Sequence, residues 1–305
     1  MYLVVERALP LIGLIALGFL LKQIGLIGRN DRYALMQVIF AATLPATVFV
    51  SLSRANVGPW NLLILAGCAV TIPLVTHLIA RQAARVMGLR RETAAVMVLS
   101  TLISAVMLYL APVFSAFYGS EGLSRVAAYD LGNALVASSY SYYLATRYAE
   151  VRASSWRVAC KRILTVPQFW AAVLALAVNL TGVSVPTPIM QLLEPLGAAN
   201  GPLGMLALGC FIELRLPAWR PVLATVGLRM GLSWVIGQLL VLATGLTGLD
   251  RTVVSLAAAT PIGIVPLTYA SKFGLDTEFA AATLSLSIVM GIVSTPILLW
   301  VYGLT

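Results

Sequence analysis

Ten apolar runs fill almost the whole chain, at 3–21, 33–53, 60–80, 93–118, 124–147, 160–182, 189–213, 221–246, 252–272 and 278–303. Most are as long as the roughly 20 residues a helix needs to cross hydrocarbon. Within each run the apolar residues are continuous and do not alternate. The pattern therefore predicts helices and disfavours a membrane β-barrel. Charges or Gly/Pro clusters mark the ends. The connections are too short for a separate domain, and the longest, Arg147 to Lys161, is basic and mostly polar. The first run carries Glu6-Arg7 where a signal peptide has a basic start, and no small-residue cleavage site follows. It is expected to be an uncleaved helix. The expected fold class is an all-α membrane protein with ten transmembrane helices.

Composition strengthens this reading. Of 305 residues, 60% are hydrophobic and 10% charged, with mean hydropathy +0.94. A soluble domain carries about 25% charged residues, so too little charge is present to cover a water-facing surface. The formal charge of +9 would suggest nucleic acid in a soluble protein. Here the basic residues sit between the apolar runs and read as topology determinants; no nucleic-acid partner is expected. Four of them (Arg7, Arg54, Arg125, Arg251) fall on one side of a ten-span layout and fifteen on the other, with Arg229 inside a run. The positive-inside rule makes the fifteen-residue side cytoplasmic and puts both termini outside. Three scattered cysteines and one histidine support neither a disulfide framework nor a metal site. Soluble-enzyme motifs are absent, so an enzyme is not expected. Asn179-Leu180-Thr181 matches a glycosylation sequon by chance at a helix end.

The chain also repeats itself. At an offset of 157, Pro10 lands on Pro167, Gly25 on Gly182 and Pro45 on Pro202. Gly88-Leu-Arg-Arg91 matches Gly248-Leu-Asp-Arg251, and Phe117-Tyr-Gly119 matches Lys272-Phe-Gly274. Five helices per copy is an odd number, so the second copy, 151–305, must lie upside-down relative to the first, 1–150. Inverted repeats are a signature of secondary transporters.

The equivalent fourth and ninth runs carry prolines well inside them: Pro112, and Pro261 with Pro266. Proline removes an N–H and breaks or kinks a helix, and freed backbone groups must then be buried or line a wet cavity. A pair of interrupted helices at matching places points to a substrate site, although ordinary kinks are the plainer alternative and the second and seventh runs also hold prolines. Nearby polar residues are small and neutral: Ser100, Thr101 and Ser104, then Thr260 and Thr268. Half-helix N-termini hold an anion without a buried cation, which suits a carboxylate. Asp130, followed one turn on by Asn133, is the carboxylate clearly inside a run. It reads either as a proton or sodium coupling group or as a structural acid bonded to a neighbouring helix, and its closeness to Arg125 suggests a place near the outer interface. His77 titrates in a range suited to coupling, but an interfacial histidine is the plainer reading. Arg229 reads as snorkelling to the cytoplasmic interface rather than neutralising an anion. Asn200, beside Pro202, is a weaker site candidate.

The opening ALPLIGLIALGFLLKQIGLI and the following ATLPATVFVSLS resemble the auxin efflux carrier family in its short, bacterial, membrane-only form. So do AAYDLGNAL, GPLGMLALGCFIEL and AATPIGIVPLTYASKFGLDTEFAA. The likeness covers nearly the whole chain. It implies two inverted five-helix repeats with broken, crossing helices 4 and 9. It also implies a scaffold of helices 1, 2, 6 and 7 and a moving unit of helices 3–5 and 8–10. Bacterial relatives are described as permeases for malate, malonate and similar acids. One departure is Ser104-Ala-Val-Met-Leu-Tyr-Leu-Ala-Pro112, where the family has an Asn and glycines before the proline. The site is therefore expected to favour a more hydrophobic acid.

The function expected is a secondary transporter for small organic acid anions, of elevator type, in a bacterial inner membrane and as a homodimer. No cofactor is expected beyond a coupling proton or sodium. The alternatives are a sodium-coupled symporter similar to bile-acid carriers, against which stands the lack of a dense Glu/Gln/Asn cluster, and a membrane receptor or enzyme.

Overall fold

The computed structural model describes residues 2–150, 155–213, 215 and 218–302, with side chains from residue 6 onward. The expected boundary between halves at 150/151, Arg152 and the middle of the Arg147–Lys161 connection lie outside the described residues. Fifteen α-helices run in order among them: α1 Tyr2–Gln23, α2 Arg29–Val38, α3 Leu44–Ser53, α4 Pro59–Val86, α5 Arg91–Leu102, α6 Ala111–Leu135, α7 Ser141–Tyr148, α8 Trp156–Ile163, α9 Pro167–Thr181, α10 Thr187–Cys210, α11 Trp219–Val226, α12 Ser233–Thr244, α13 Gly248–Ala258, α14 Val265–Phe273 and α15 Thr277–Tyr302. Four π-helical turns, Ile39–Thr43, Val106–Leu110, Val136–Tyr140 and Gly227–Leu232, join or lead into them. The one extended pairing among the described residues is a bridge between Ser104 and Ile262.

Four stretches are long and apolar enough to cross a membrane on their own: Arg29–Ser53, Pro59–Val86, Trp219–Thr244 and Thr277–Tyr302. The pair Trp156–Ile163 and Pro167–Thr181, bent by 54°, raises the number to five. Some of the apolar runs that do not pass are interrupted. The fourth breaks between α5 and the π-helical turn at Val106, and the ninth between α13 and α14. The bend between α8 and α9 was not expected. It falls just before Pro167, where a missing N–H costs nothing at the first helical position.

The helices pack through small residues, as membrane bundles do. A β-carbon on Gly18 of α1 would stand 2.0 Å from the Leu206 carbonyl oxygen in α10, and one on Gly209 would stand 2.0 Å from that of Ile15. The two helices thus approach through reciprocal glycines. Gly132 of α6 does the same against Ala66 of α4, at 2.1 Å. Large apolar side chains stay exposed on the outer faces, Leu63, Leu78, Leu242 and Val293 among them. Trp60, Trp156, Trp219 and Trp300, also exposed, stand at or near helix ends, where an aromatic belt meets an interface.

Ion pairs sort the helix ends into two groups. Arg54 pairs with Glu194, and Arg125 with Glu121 and Asp250. At the other ends Lys22 and Arg32 pair with Glu213, Arg90 with Asp276 and Arg91 with Glu150. Each pair joins ends that the charge count assigns to the same side.

Matched positions share backbone geometry. Seven described glycines have positive φ, and six of them are the members of the matched pairs Gly25/Gly182, Gly88/Gly248 and Gly119/Gly274. Two hydrogen bonds join residues 157 positions apart: Thr43 donates to the Asn200 side-chain oxygen at 3.2 Å, and the Thr76 and Ser233 hydroxyls meet at 3.0 Å.

Candidate functional site

Helix α5 stops at Leu102 because the chain turns extended at Ile103, with φ −126° and ψ 122°. Residues 103–105 then run antiparallel to 261–263. The Ala105 N–H donates to the Pro261 carbonyl at 2.9 Å, and the Gly263 N–H to the Ile103 carbonyl at 3.0 Å. Two further N–H groups of the crossing bond to side chains of helices that follow. Ser104 N–H donates to Asn133 Oδ1 at 3.3 Å, and Ile262 N–H to Ser287 Oγ at 3.1 Å. Interrupted backbone in hydrocarbon survives when its polar groups are met in this way. Nearly all of 95–114 and all of 252–264 are buried, so the crossing lies at the centre of the molecule.

Two half-helices start at the crossing, at Val106 and at Val265. Their first-turn N–H groups have no partner within their own helices and carry the positive end of the helix dipole. A cavity of about 80 Å³ lies against them, lined by Phe40, Leu44, Ser104, Met107, Asp130, Asn133, Gln168 and Gly263 among others. Its polar wall is a continuous network. Ser104 Oγ donates to Asn133 Oδ1 at 3.0 Å, and Asn133 Nδ2 donates to Asp130 Oδ1 at 2.8 Å. Gln168 Nε2 donates to the other carboxylate oxygen, Asp130 Oδ2, at 2.6 Å. Asp130 is 3% exposed. It belongs to the crossing and not, as the sequence suggested, to the outer interface.

A second, wider cavity of about 420 Å³ lies nearby, between α3, α10 and the start of α6. Pro112, Ser115, Ser120, Thr47, Glu194 and Asn200 are among its lining residues. Only the wider one matches the usual volume of a small-molecule pocket, about 300–1,000 Å³. Asn200 donates from Nδ2 to the Met107 carbonyl at 3.1 Å, tying α10 to the start of the half-helix that faces the narrow cavity.

The residues expected at the site divide into several groups. Ser104, Asp130 and Asn133 come together at the crossing, and Pro261 supplies a carbonyl to it. Pro112 does not make the break. It sits in the first turn of α6, past the extended residues, and its ring faces Gly201 across the wider cavity. Pro266 likewise opens α14 and does not interrupt it. Thr101, Thr260 and Thr268 turn their hydroxyls onto carbonyls of their own segments, those of Val98, Leu256 and Ile264, and Thr268 is exposed. Ser100 is buried, and its hydroxyl has no partner among the described residues. His77 bonds to the Tyr140 hydroxyl through Nε2 at 2.9 Å, and its Nδ1 to the Leu74 carbonyl.

Arg229 does not snorkel. It is 3% exposed, and its Nη1 donates to the Ala258 carbonyl at 2.8 Å. Gln168 is the site residue missed in the sequence. The signal was an amide one residue past Pro167, at the start of the apolar stretch Phe169–Val178.

A family model described as "Membrane transport protein" matches residues 3–299. A curated protein of Methanothermobacter thermautotrophicus, named as an uncharacterized transporter, is 28% identical over 300 residues, covering 96% of each chain. A second uncharacterized transporter, from Methanocaldococcus jannaschii, is 20% identical over 284 residues, covering 89% of this chain and 90% of its own. Both relatives are archaeal, whereas the resemblance read from the sequence pointed to bacterial members.

Proposed function

Because the chain belongs to the membrane transport protein family, that of the auxin efflux carriers, we propose that it is a secondary transporter for small organic acid anions. It moves them by an elevator motion of α4–α7 and α11–α15 against α1–α3 and α8–α10, through ten spans in two inverted halves. The observation that carries this is the crossing of two interrupted helices over an acid-walled cavity. The halves are supported by the six matched glycines and by the pairs 157 residues apart. Under two-fold pseudosymmetry a residue meets its own equivalent only on the axis, and Thr43/Asn200 and Thr76/Ser233 do so at the offset read from the sequence. The excess of Lys and Arg puts the Lys22 and Asp276 end in the cytoplasm.

Two half-helix N-termini offer N–H donors that a carboxylate can accept from. Met107 and Leu108 make the cavity wall apolar, which favours a hydrophobic acid over malate. Asp130 is the coupling group: Gln168 holds it from α9, in the scaffold, so a change in its protonation alters a contact between the two parts. Sodium is the alternative coupling ion, favoured by the oxygens of Asp130, Asn133 and Ser104 at one place. The test is thermal unfolding of the purified protein with acetate, malate, malonate and benzoate, with and without sodium. At least one acid should raise the melting temperature, and benzoate should act at lower concentration than malate. If no acid shifts it while neutral or cationic solutes do, the anion reading is wrong.

A further inference from the structure

We propose that Arg229 supplies the fixed positive charge that makes the crossing selective for anions, acting through the C-terminal end of α13. This rests on the organic-anion reading above. Four helix ends meet at the crossing: the C-terminal ends of α5 and α13, and the N-terminal starts at Val106 and Val265. Each carries about half an elementary charge, negative at a C-terminus and positive at an N-terminus. Two of each cancel, so the helices alone do not set the sign of the site.

Arg229 breaks the balance. It lies ten residues into the Trp219–Thr244 stretch, roughly 15 Å along the axis at 1.5 Å per residue, near the middle of a bilayer whose hydrocarbon is about 30 Å thick. A cation there is costly and needs a reason. The π-helical turn Gly227–Leu232 carries it, and its Nη1 and Nη2 reach the carbonyls of Ala258, at 2.8 Å, and Ala257, at 3.5 Å. These are the last carbonyls of α13 before the break. Val226 and Met230, on either side of Arg229, pack against Ile262 of the crossing itself. Nε is buried without a partner among the described residues, so capping does not exhaust the guanidinium. At the 157 offset the first half has Ile72. The charge therefore belongs to one half only, and nothing mirrors it. Asp130 is the opposite buried charge; once it carries a proton, Arg229 stands uncompensated. Arg229 is a positioning residue, since its contact is with the helix end and not with the transported acid.

The test separates charge from capping in the full chain in nanodiscs. Binding is followed by thermal shift with two matched probe pairs, benzoate with benzamide and malate with malamide. In the wild type a carboxylate acts at lower concentration than its amide. Arg229→Gln keeps a donor for Ala258 without the charge, and Arg229→Lys keeps the charge. Arg229→Gln should weaken carboxylate binding by about tenfold or more and leave amide binding unchanged, while Arg229→Lys stays near the wild type. If Arg229→Gln keeps the carboxylate preference, the residue is only a cap and this inference is overturned while the anion reading stands. If the wild type shows no preference in either pair, both fall. If Arg229→Gln does not fold, Arg229→Lys decides: a retained preference supports the charge, and a lost one refutes it.

Discussion

Asp130 is held by amides and, among the described residues, by no cation. Asn133 and Gln168 each give one N–H to a different carboxylate oxygen. An amide in place of the acid keeps its size and removes its charge, with one acceptor left for the two donors, so Asp130→Asn stands in for the neutral form at the cost of one of these bonds. If Asp130 carries the coupling proton, that variant should lose uptake driven by a pH gradient into proteoliposomes, yet keep exchange of labelled benzoate for unlabelled. A purely structural acid predicts that both fall together with the melting temperature. Asp130 could be picked out because an acid in an apolar run stands alone. Gln168 could not, since its partner is 38 residues away and one amide makes no pattern. Arg229 was visible as a charge but misread. A snorkelling arginine and one that caps a helix end look alike until the neighbouring helix is known to stop beside it.

At the level of elements, the broken fourth and ninth helices were legible and the place of the fourth break was not. Prolines marked the right helices. The interruption at Ile103–Ala105 is fixed by partners far along the chain, Pro261 and Asn133, and no local residue announces it. Ser104 and Ile262 face each other between two flanking backbone bonds. Pairs of that kind have their α-carbons about 4.5 Å apart, close enough for a disulfide. In a chain with Cys68, Cys160 and Cys210 replaced by Ser, Ser104→Cys with Ile262→Cys should cross-link under mild oxidation, read as a gel shift reversed by reductant. Glycine contacts give a second expectation. Gly18→Ala forces a methyl against the Leu206 carbonyl and should cost about 1–3 kcal/mol of stability. Gly67→Ala meets nothing within 4 Å and should leave the melting temperature unchanged or raise it.

For the whole molecule, the charges that an elevator carries matter more than those it leaves behind. Arg229 and Asp130 are buried and opposite, and both lie in the proposed moving unit. If that unit moves as proposed, it crosses empty without net buried charge, since the buried Asp250 is paired with Arg125 inside it, and so does one loaded with a monovalent anion and a proton. Moving an uncompensated charge costs about 2.3 kcal/mol per 100 mV, roughly fifty-fold in rate. Benzoate uptake into proteoliposomes clamped with potassium and valinomycin should change less than about twofold between 0 and 100 mV, by the same rule. A steep voltage dependence would show that the proton does not travel with the anion. One contact between the proposed moving unit and the proposed scaffold gives a further expectation. Arg162 of α8 lies 4.0 Å over the ring of Tyr142 in α7. Bridging Arg162→Cys to Tyr142→Cys with a short thiol cross-linker should stop transport, and reductant should restore it.

The pair Thr43 and Asn200 bears on ancestry as well as architecture. Suppose the two halves began as one gene whose product dimerised with itself in opposite orientations. A side chain on the symmetry axis would then have met an identical copy, and every mutation there would have struck both partners at once. A polar group in such a place had to serve as giver and receiver to its own likeness, as a hydroxyl can. Fusion of the copies ended that constraint. Thr76 and Ser233 still keep hydroxyl against hydroxyl, whereas at Thr43 and Asn200 one side has become an amide. That amide gained a second task, holding the Met107 carbonyl. On that history, joining the copies would have left each half free to specialise.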